Sequence, residues 1–220
     1  MPRIDHKNFC TCSGTLPEDK FFRVSAKGGA AAFAASCPAE NCRVPSVCER
    51  AVMVSTDSFI RRPSLCDEAM EAITGFVNEG IYGMQEPGKE SFCSAAVLYI
   101  FRDKARCVTM GSSVIFYFSD NGLTSVFHGN EDVLPGKSLR SKFVSEPEFE
   151  LKKGRNSFLI VSSRDKADID SSLIKAALQN AEGAEKWIDA VSDELKKYKC
   201  SALAIDLPPK KPGIADLLHI

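Results

Sequence analysis

Ser91 to Thr124 reads SFCSAAVLYIFRDKARCVTMGSSVIFYFSDNGLT, and this stretch decides the fold. Three apolar runs rich in Val, Ile, Phe and Tyr are broken at Arg102-Asp103-Lys104 and at Met110-Gly111. Runs of this length and composition predict a buried antiparallel meander. The closing Ser119-Asp120-Asn121-Gly122 predicts a tight hairpin, because Asn-Gly accepts the positive φ angles such a turn needs.

Upstream, the pattern from Phe9 to Ser36 predicts two or three strands in hairpin succession, with breaks at Ser13-Gly14 and Gly28-Gly29. Cys37 to Arg43 shows no period and reads as a loop. Ser46-x-x-Glu49 has the spacing of a capping box and predicts a helix over Val47 to Ile60. Ser64-x-x-Asp67 resembles a second start, with Leu65, Ala69, Ile73, Phe76 and Val77 near helical spacing up to Gly80.

Downstream, Lys142 to Leu151 alternates but contains Pro147, which favours an edge strand or a bulge. SFLIVSS, from Ser157, reads as a buried strand. Asp170 or Ser171 can cap a helix running to about Asn180. In the helix after Gly183, Trp187, Ile188, Val191, Leu195 and Tyr198 share one face. CSALAIDL is a final strand ended by Pro208-Pro209. This order predicts an α+β fold with antiparallel sheets covered by helix pairs. A single domain over residues 1–209 is expected, followed by a short C-terminal tail, 210–220.

The balance of 28 Lys and Arg against 29 Asp and Glu gives a net charge of -1, which supplies no global pull toward nucleic acid or an anionic membrane. The N-terminal MPRIDHKNFC lacks the apolar centre of a secretory signal, and no apolar run approaches the ~20 residues that span a bilayer. Nine cysteines, an odd number spread through the chain, read as free thiols of a reducing compartment rather than a disulfide framework. The expected location is cytoplasmic.

The element order and several local stretches resemble the metal-dependent serine/threonine protein phosphatases of the type 2C class. AAVLYIFRDKARCVTMGSSVIFYFSDNGLT is similar to that family's paired strands around a Gly-Asp-Ser-Arg motif, which here reads Gly111-Ser112-Ser113-Val114. SFLIVSSRD resembles the strand leading into Ser-Asp-Gly, so Ser163 matches while Arg164 stands at a metal-binding Asp position. Asp165 would serve only through a one-residue slip, which turns a strand side chain to the other face. Pro17-Glu18-Asp19 resembles Asn-Glu-Asp, so Asp19 would keep one metal ligand, whereas the preceding phosphate-holding arginine would fall near Gly14 and is missing. AAFAASCPAENC resembles the strand ending in Asp-Gly-Met-Gly-Gly, with Cys37-Pro38 replacing the metal-bridging pair. YKCSALAIDL resembles Asp-Asn-Ile-Thr, with Tyr198 at the last metal-binding Asp.

The resemblance implies a four-layer α-β-β-α sandwich of antiparallel sheets flanked by helix pairs. In active members two or more Mn or Mg ions activate a water that attacks a phosphoserine or phosphothreonine. Hard divalent ions need several carboxylate oxygens, and adjacent ions need negative charge to offset their repulsion. Asp19, Cys37, Ser112, Arg164, Asp165 and Tyr198 are therefore expected to be the positions of a vestigial metal site, with no catalytic residue assignable and no cofactor. The expected function is a catalytically inactive binding or regulatory module. Its partner would be a protein, such as a phosphoprotein or kinase-pathway component. The alternative is a divergent Mn/Mg-dependent phosphatase that draws on the unassigned Asp5, Asp120, Asp132 or Asp168.

Cys10, Cys12, Cys37 and Cys42 offer a second chemistry, since four thiolates that converge can hold a tetrahedral zinc. Small buried thiols are the plainer reading. His6, His128 and His219 fall in terminal or loop contexts, and no cysteine precedes the Gly-rich, Arg-ending loop of a thiol phosphatase.

Overall fold

The computed structural model describes residues 4–11, 22–24, 29–38, 46–85, 92–130, 132–137, 143–164, 172, 174–176, 183–207 and 209. β1 (Asp5–Cys10), β2 (Phe22–Val24) and β3 (Ala30–Pro38) are followed by α1 (Ser46–Arg61) and α2 (Asp67–Tyr82). Then come β4 (Cys93–Phe101), β5 (Lys104–Met110), β6 (Ser113–Ser119), β7 (Gly122–His128), β8 (Val144–Ser145), β9 (Phe149–Glu150) and β10 (Asn156–Ser163). Helix α3 (Ala184–Leu195) and strand β11 (Cys200–Leu207) close the described chain.

The strands form two antiparallel sheets, one in the order β1-β11-β10-β6-β7 and the other β2-β3-β4-β5-β8, with β9 also paired to β5. Strand periodicity sets the layers. On β10, Phe158 and Ile160 face the space between the sheets, together with Ile115, Tyr117, Leu203 and Ile205, while Leu159 and Val161 face the other way. Tyr117 stacks on Phe158 with ring centroids 4.7 Å apart. The outward row meets Trp187, Ile188, Val191 and Leu195 of α3, the apolar stripe expected from the sequence. On the opposite side α1 packs on β3 and β4, and α2 packs on α1. The result is the four-layer α-β-β-α arrangement. The run Ala30–Ala35 is fully buried, and its methyl side chains let α1 lie close to the sheet.

The meander expectation needs one correction. β4 and β5 form a hairpin in one sheet and β6 and β7 a hairpin in the other, so β5 and β6 are not paired. Gly111-Ser112 is a corner between sheets, with Gly111 at φ +64°. A hairpin and a corner present the same polar break between apolar runs, which is why the pattern did not separate them. In the second hairpin, Gly122 takes the left-handed value at φ +95°.

Other boundaries move for identifiable reasons. β1 pairs with β11 and not with β2, placing the first two strands in different sheets. β3 continues through Cys37-Pro38, with Pro38 opposite Cys93 at the strand end, where a missing N–H is tolerated. Residues 39–43 lie outside the described set. The N-cap of α2 is Cys66 rather than Ser64. Buried Arg106 holds that end, donating to the Leu65 carbonyl at 2.7 Å and to Asp67 at 2.7 Å. His6 lies within β1 and His128 ends β7, so neither is in a free terminus or loop. Pro147 separates β8 from β9, two short pieces along β5, as an edge proline should. The cap at Asp170 or Ser171, His219 and the tail 210–220 lie outside the described residues. Among the described residues no helix is long and apolar enough to cross a membrane.

Candidate functional site

Strand ends from both sheets meet at one end of the sandwich, and hydrogen bonds tie them together. The corner residue Ser112 donates its N–H to Ser94 Oγ at 3.0 Å, and its carbonyl accepts from Ser163 N at 2.9 Å and Ser163 Oγ at 3.0 Å. The Lys199 carbonyl accepts from Arg164 N at 2.8 Å and from the Cys37 thiol at 3.2 Å. Thr11, just past β1, donates its hydroxyl to the Tyr198 carbonyl at 2.6 Å and accepts from Cys200 N at 3.0 Å. Cys37, Ser112, Arg164 and Tyr198 thus belong to one mouth, although they are far apart in sequence. Asp19 and Asp165 lie outside the described residues.

The side chains there differ from a carboxylate cluster. The register of β10 with β11 pairs Ser162 with Ser201 and Ser163 with Cys200, and the Arg164 to Lys199 bond extends it one step. Ser162 and Ser201 share the face that looks toward the other sheet, and Arg164 and Lys199 lie one step past those strand ends. The buried Ser162 and Ser201 hydroxyls have no hydrogen-bond partner among the described residues. Tyr198 turns the other way, packing beside α3 and donating to Glu194 at 3.3 Å. Lys199, Ser162, Ser201, Ser94 and Thr11 were missed from sequence. Their signal, a hydroxyl or cation at a strand end, carries no meaning until the strands are paired.

The fit to a hard divalent pair is poor. A thiol, hydroxyls, a guanidinium and an ammonium are the described groups at the mouth, and Mn or Mg asks for carboxylate oxygens. Among the described residues no group of three His, Cys, Asp or Glu side chains could hold a metal ion. Two of the unassigned carboxylates have other work. Asp5 caps α3 by accepting from Ala184 N at 3.1 Å, and Asp120 accepts from Arg155 N at 3.3 Å, both at the far end of the sandwich. Asp132 is exposed on the loop whose Val133 carbonyl accepts from Gly111 N at 3.0 Å. Asp168 lies outside the described residues.

Of the four thiols considered for zinc, Cys12 and Cys42 lie outside the described residues, and Cys10 and Cys37 belong to different sheets. Burial pushes the nearby Cys200 thiol up to about 11, partly opposed by its hydrogen bond with Thr11. On the helix side of β3, Cys48 and Cys93 belong to one buried cluster between α1 and the sheet. The neighbouring Cys93 thiol and then burial raise Cys48 far above the ordinary thiol range, and Cys48 in turn lowers Cys93 against its own burial.

Compared with known proteins, the sequence matches no family model and no curated protein. Its fold does match solved structures. PppA, described as a key regulatory component of T6SS in Pseudomonas aeruginosa, is 14% identical with TM-score 0.60, over 92% of this chain and 96% of that one. The catalytic domain of the serine/threonine protein phosphatase PstP, in complex with two manganese ions, is 15% identical with TM-score 0.59, over 93% of this chain and 99% of that one. RsbX in complex with magnesium is 15% identical with TM-score 0.62, over 93% and 95%. The chain therefore has the type 2C phosphatase fold, as the sequence resemblance implied.

Proposed function

We propose that this chain is a phosphatase-like module, spanning residues 1–209, that binds a protein partner and does not hydrolyse phosphoesters. One observation supports the reading: Arg164, at the position the family resemblance gives to a metal-binding Asp, is tied by its backbone into the same mouth as Cys37 and Ser112. The positions Asp19, Cys37, Ser112, Arg164, Asp165 and Tyr198 are then a vestigial metal site, and no metal cofactor is required. A phosphorylated protein or a kinase-pathway component fits a cationic, hydroxyl-rich mouth on this fold. The likeness to PppA, a regulatory component, supports a regulatory role. We place the protein in the cytoplasm.

Purified protein incubated with Mn or Mg and a phosphothreonine peptide is expected to release no phosphate above a blank. Calorimetric titration with Mn is expected to show no binding of an ion pair. Metal-dependent turnover that disappears in Asp19→Ala would overturn the proposal in favour of a divergent Mn/Mg-dependent phosphatase.

A further inference from the structure

We infer that Cys48 and Cys93 form an oxidation site, a thiol pair that closes to a disulfide and fastens helix α1 to strand β4. Cys48 sits in the first turn of α1 and Cys93 is the first residue of β4, both at most 1% exposed. They pack in one cluster with Val47, Ala51, Val77 and Ile81. Pro38 lies opposite Cys93, which puts Cys93 on the same side of the sheet as Ser36, the side on which α1 packs, and the Ser36 proton is on the Ser94 carbonyl at 2.9 Å. Both thiols thus lie in the one buried layer between α1 and the sheet, on the helix side of β3. Neighbouring Cys37 is the obvious competitor. Its thiol donates to the Lys199 carbonyl of the other sheet, so strand alternation points it away from the pair.

The oxidant is a small peroxide. One sulfur attacks a peroxide oxygen as the thiolate, and the O–O bond breaks; the displaced hydroxide leaves as water with the thiol's proton, giving a sulfenic acid. The second sulfur attacks that sulfenic sulfur, and its proton leaves with the hydroxyl as a second water. Two thiols and one hydrogen peroxide give one disulfide and two waters. The product ties the start of α1 to the strand beside Ser94, one residue from the mouth.

Trypsin separates the candidates. Cys48 falls in residues 44–50 and Cys93 in residues 90–102, each the single cysteine of its peptide, while Cys37 shares residues 28–43 with Cys42. Folded protein exposed to hydrogen peroxide, alkylated and digested without reductant, is expected to show 44–50 joined to 90–102. Dithiothreitol should release the pair. The oxidised protein should melt roughly 5 to 10 °C higher than the reduced. Cys37→Ser should leave the crosslink intact, and Cys48→Ser and Cys93→Ser should each abolish it. The inference is overturned if 44–50 and 90–102 stay separate while exposed Cys66 is oxidised, or if either joins 28–43 instead. The wild-type map decides this whether or not a variant folds.

Discussion

Gly111→Ala is expected to destabilise the protein by about 3 to 5 kcal/mol, combining left-handed backbone strain with overpacking. Gly111 holds φ +64°, where a non-glycine residue is strained, and an added Cβ would lie 2.6 Å from both Ser94 Oγ and Leu134 Cδ2. Ser94 cannot move freely. Ser94 Oγ accepts from Ser112 N, and Ser94 Cα would itself lie 3.2 Å from the new carbon. Gly129→Ala should be comparably severe, since its Cβ would come 2.2 Å from the Gly111 carbonyl oxygen, a backbone atom. Gly75→Ala is the contrast. Its Cβ would meet nothing within 4 Å in the middle of α2, so it should stabilise by about 0.5 to 1 kcal/mol. Urea denaturation midpoints should order the three accordingly. A Gly111→Ala midpoint within error of wild type would refute the corner as described.

Asp206→Ala is expected to destabilise by about 3 kcal/mol, because it leaves a partly buried charge and a hydroxyl without their acceptor. Arg155 grips the Asp206 carboxylate with Nε and Nη2, both at 2.7 Å, and Ser157 Oγ donates to it at 2.7 Å. The guanidinium also lies 5.6 Å from the Trp187 ring centroid, so the same residue connects β10, β11 and α3. With side chains 27% and 12% exposed, Arg155 and Asp206 are more sheltered than the surface pairs of α3, such as Lys196 with Asp193. Truncating those surface pairs should leave the urea midpoint close to that of wild type. In a double-mutant cycle, Asp206→Ala with Arg155→Ala should be less destabilised than the sum of the single variants. Strict additivity in thermal and urea unfolding would show that the pair contributes nothing as a unit.

Periodicity made the layers legible. SFLIVSS and CSALAIDL alternate between two apolar faces, and the stripe on α3 fills one of them, so the sequence already contained the sandwich. What it could not contain was the pairing. Whether the break at Gly111 turns back or crosses over depends on where the following strand finds partners, and β6 finds β10, more than 35 residues away. For the same reason β1 was assigned to its neighbour in sequence and belongs to β11. The candidate site divides similarly. Family likeness located Cys37, Ser112 and Arg164, but Lys199 emerged only from its place opposite Arg164. Tyr198 contributes its carbonyl to the mouth, while its ring packs in the helix layer.

The Asp206 clamp and the cationic mouth sit at opposite ends of the same two strands. β10 is eight residues long, so about 25 Å of sheet separates them. Changes that far apart act independently on stability. Side chains at the open end that make none of the corner's bonds can be exchanged without disturbing the clamp, which joins β10, β11 and α3 at the other end. The fold is in that sense permissive toward drift in those side chains, and this chain keeps the architecture of PppA, PstP and RsbX at only 14 to 15% identity.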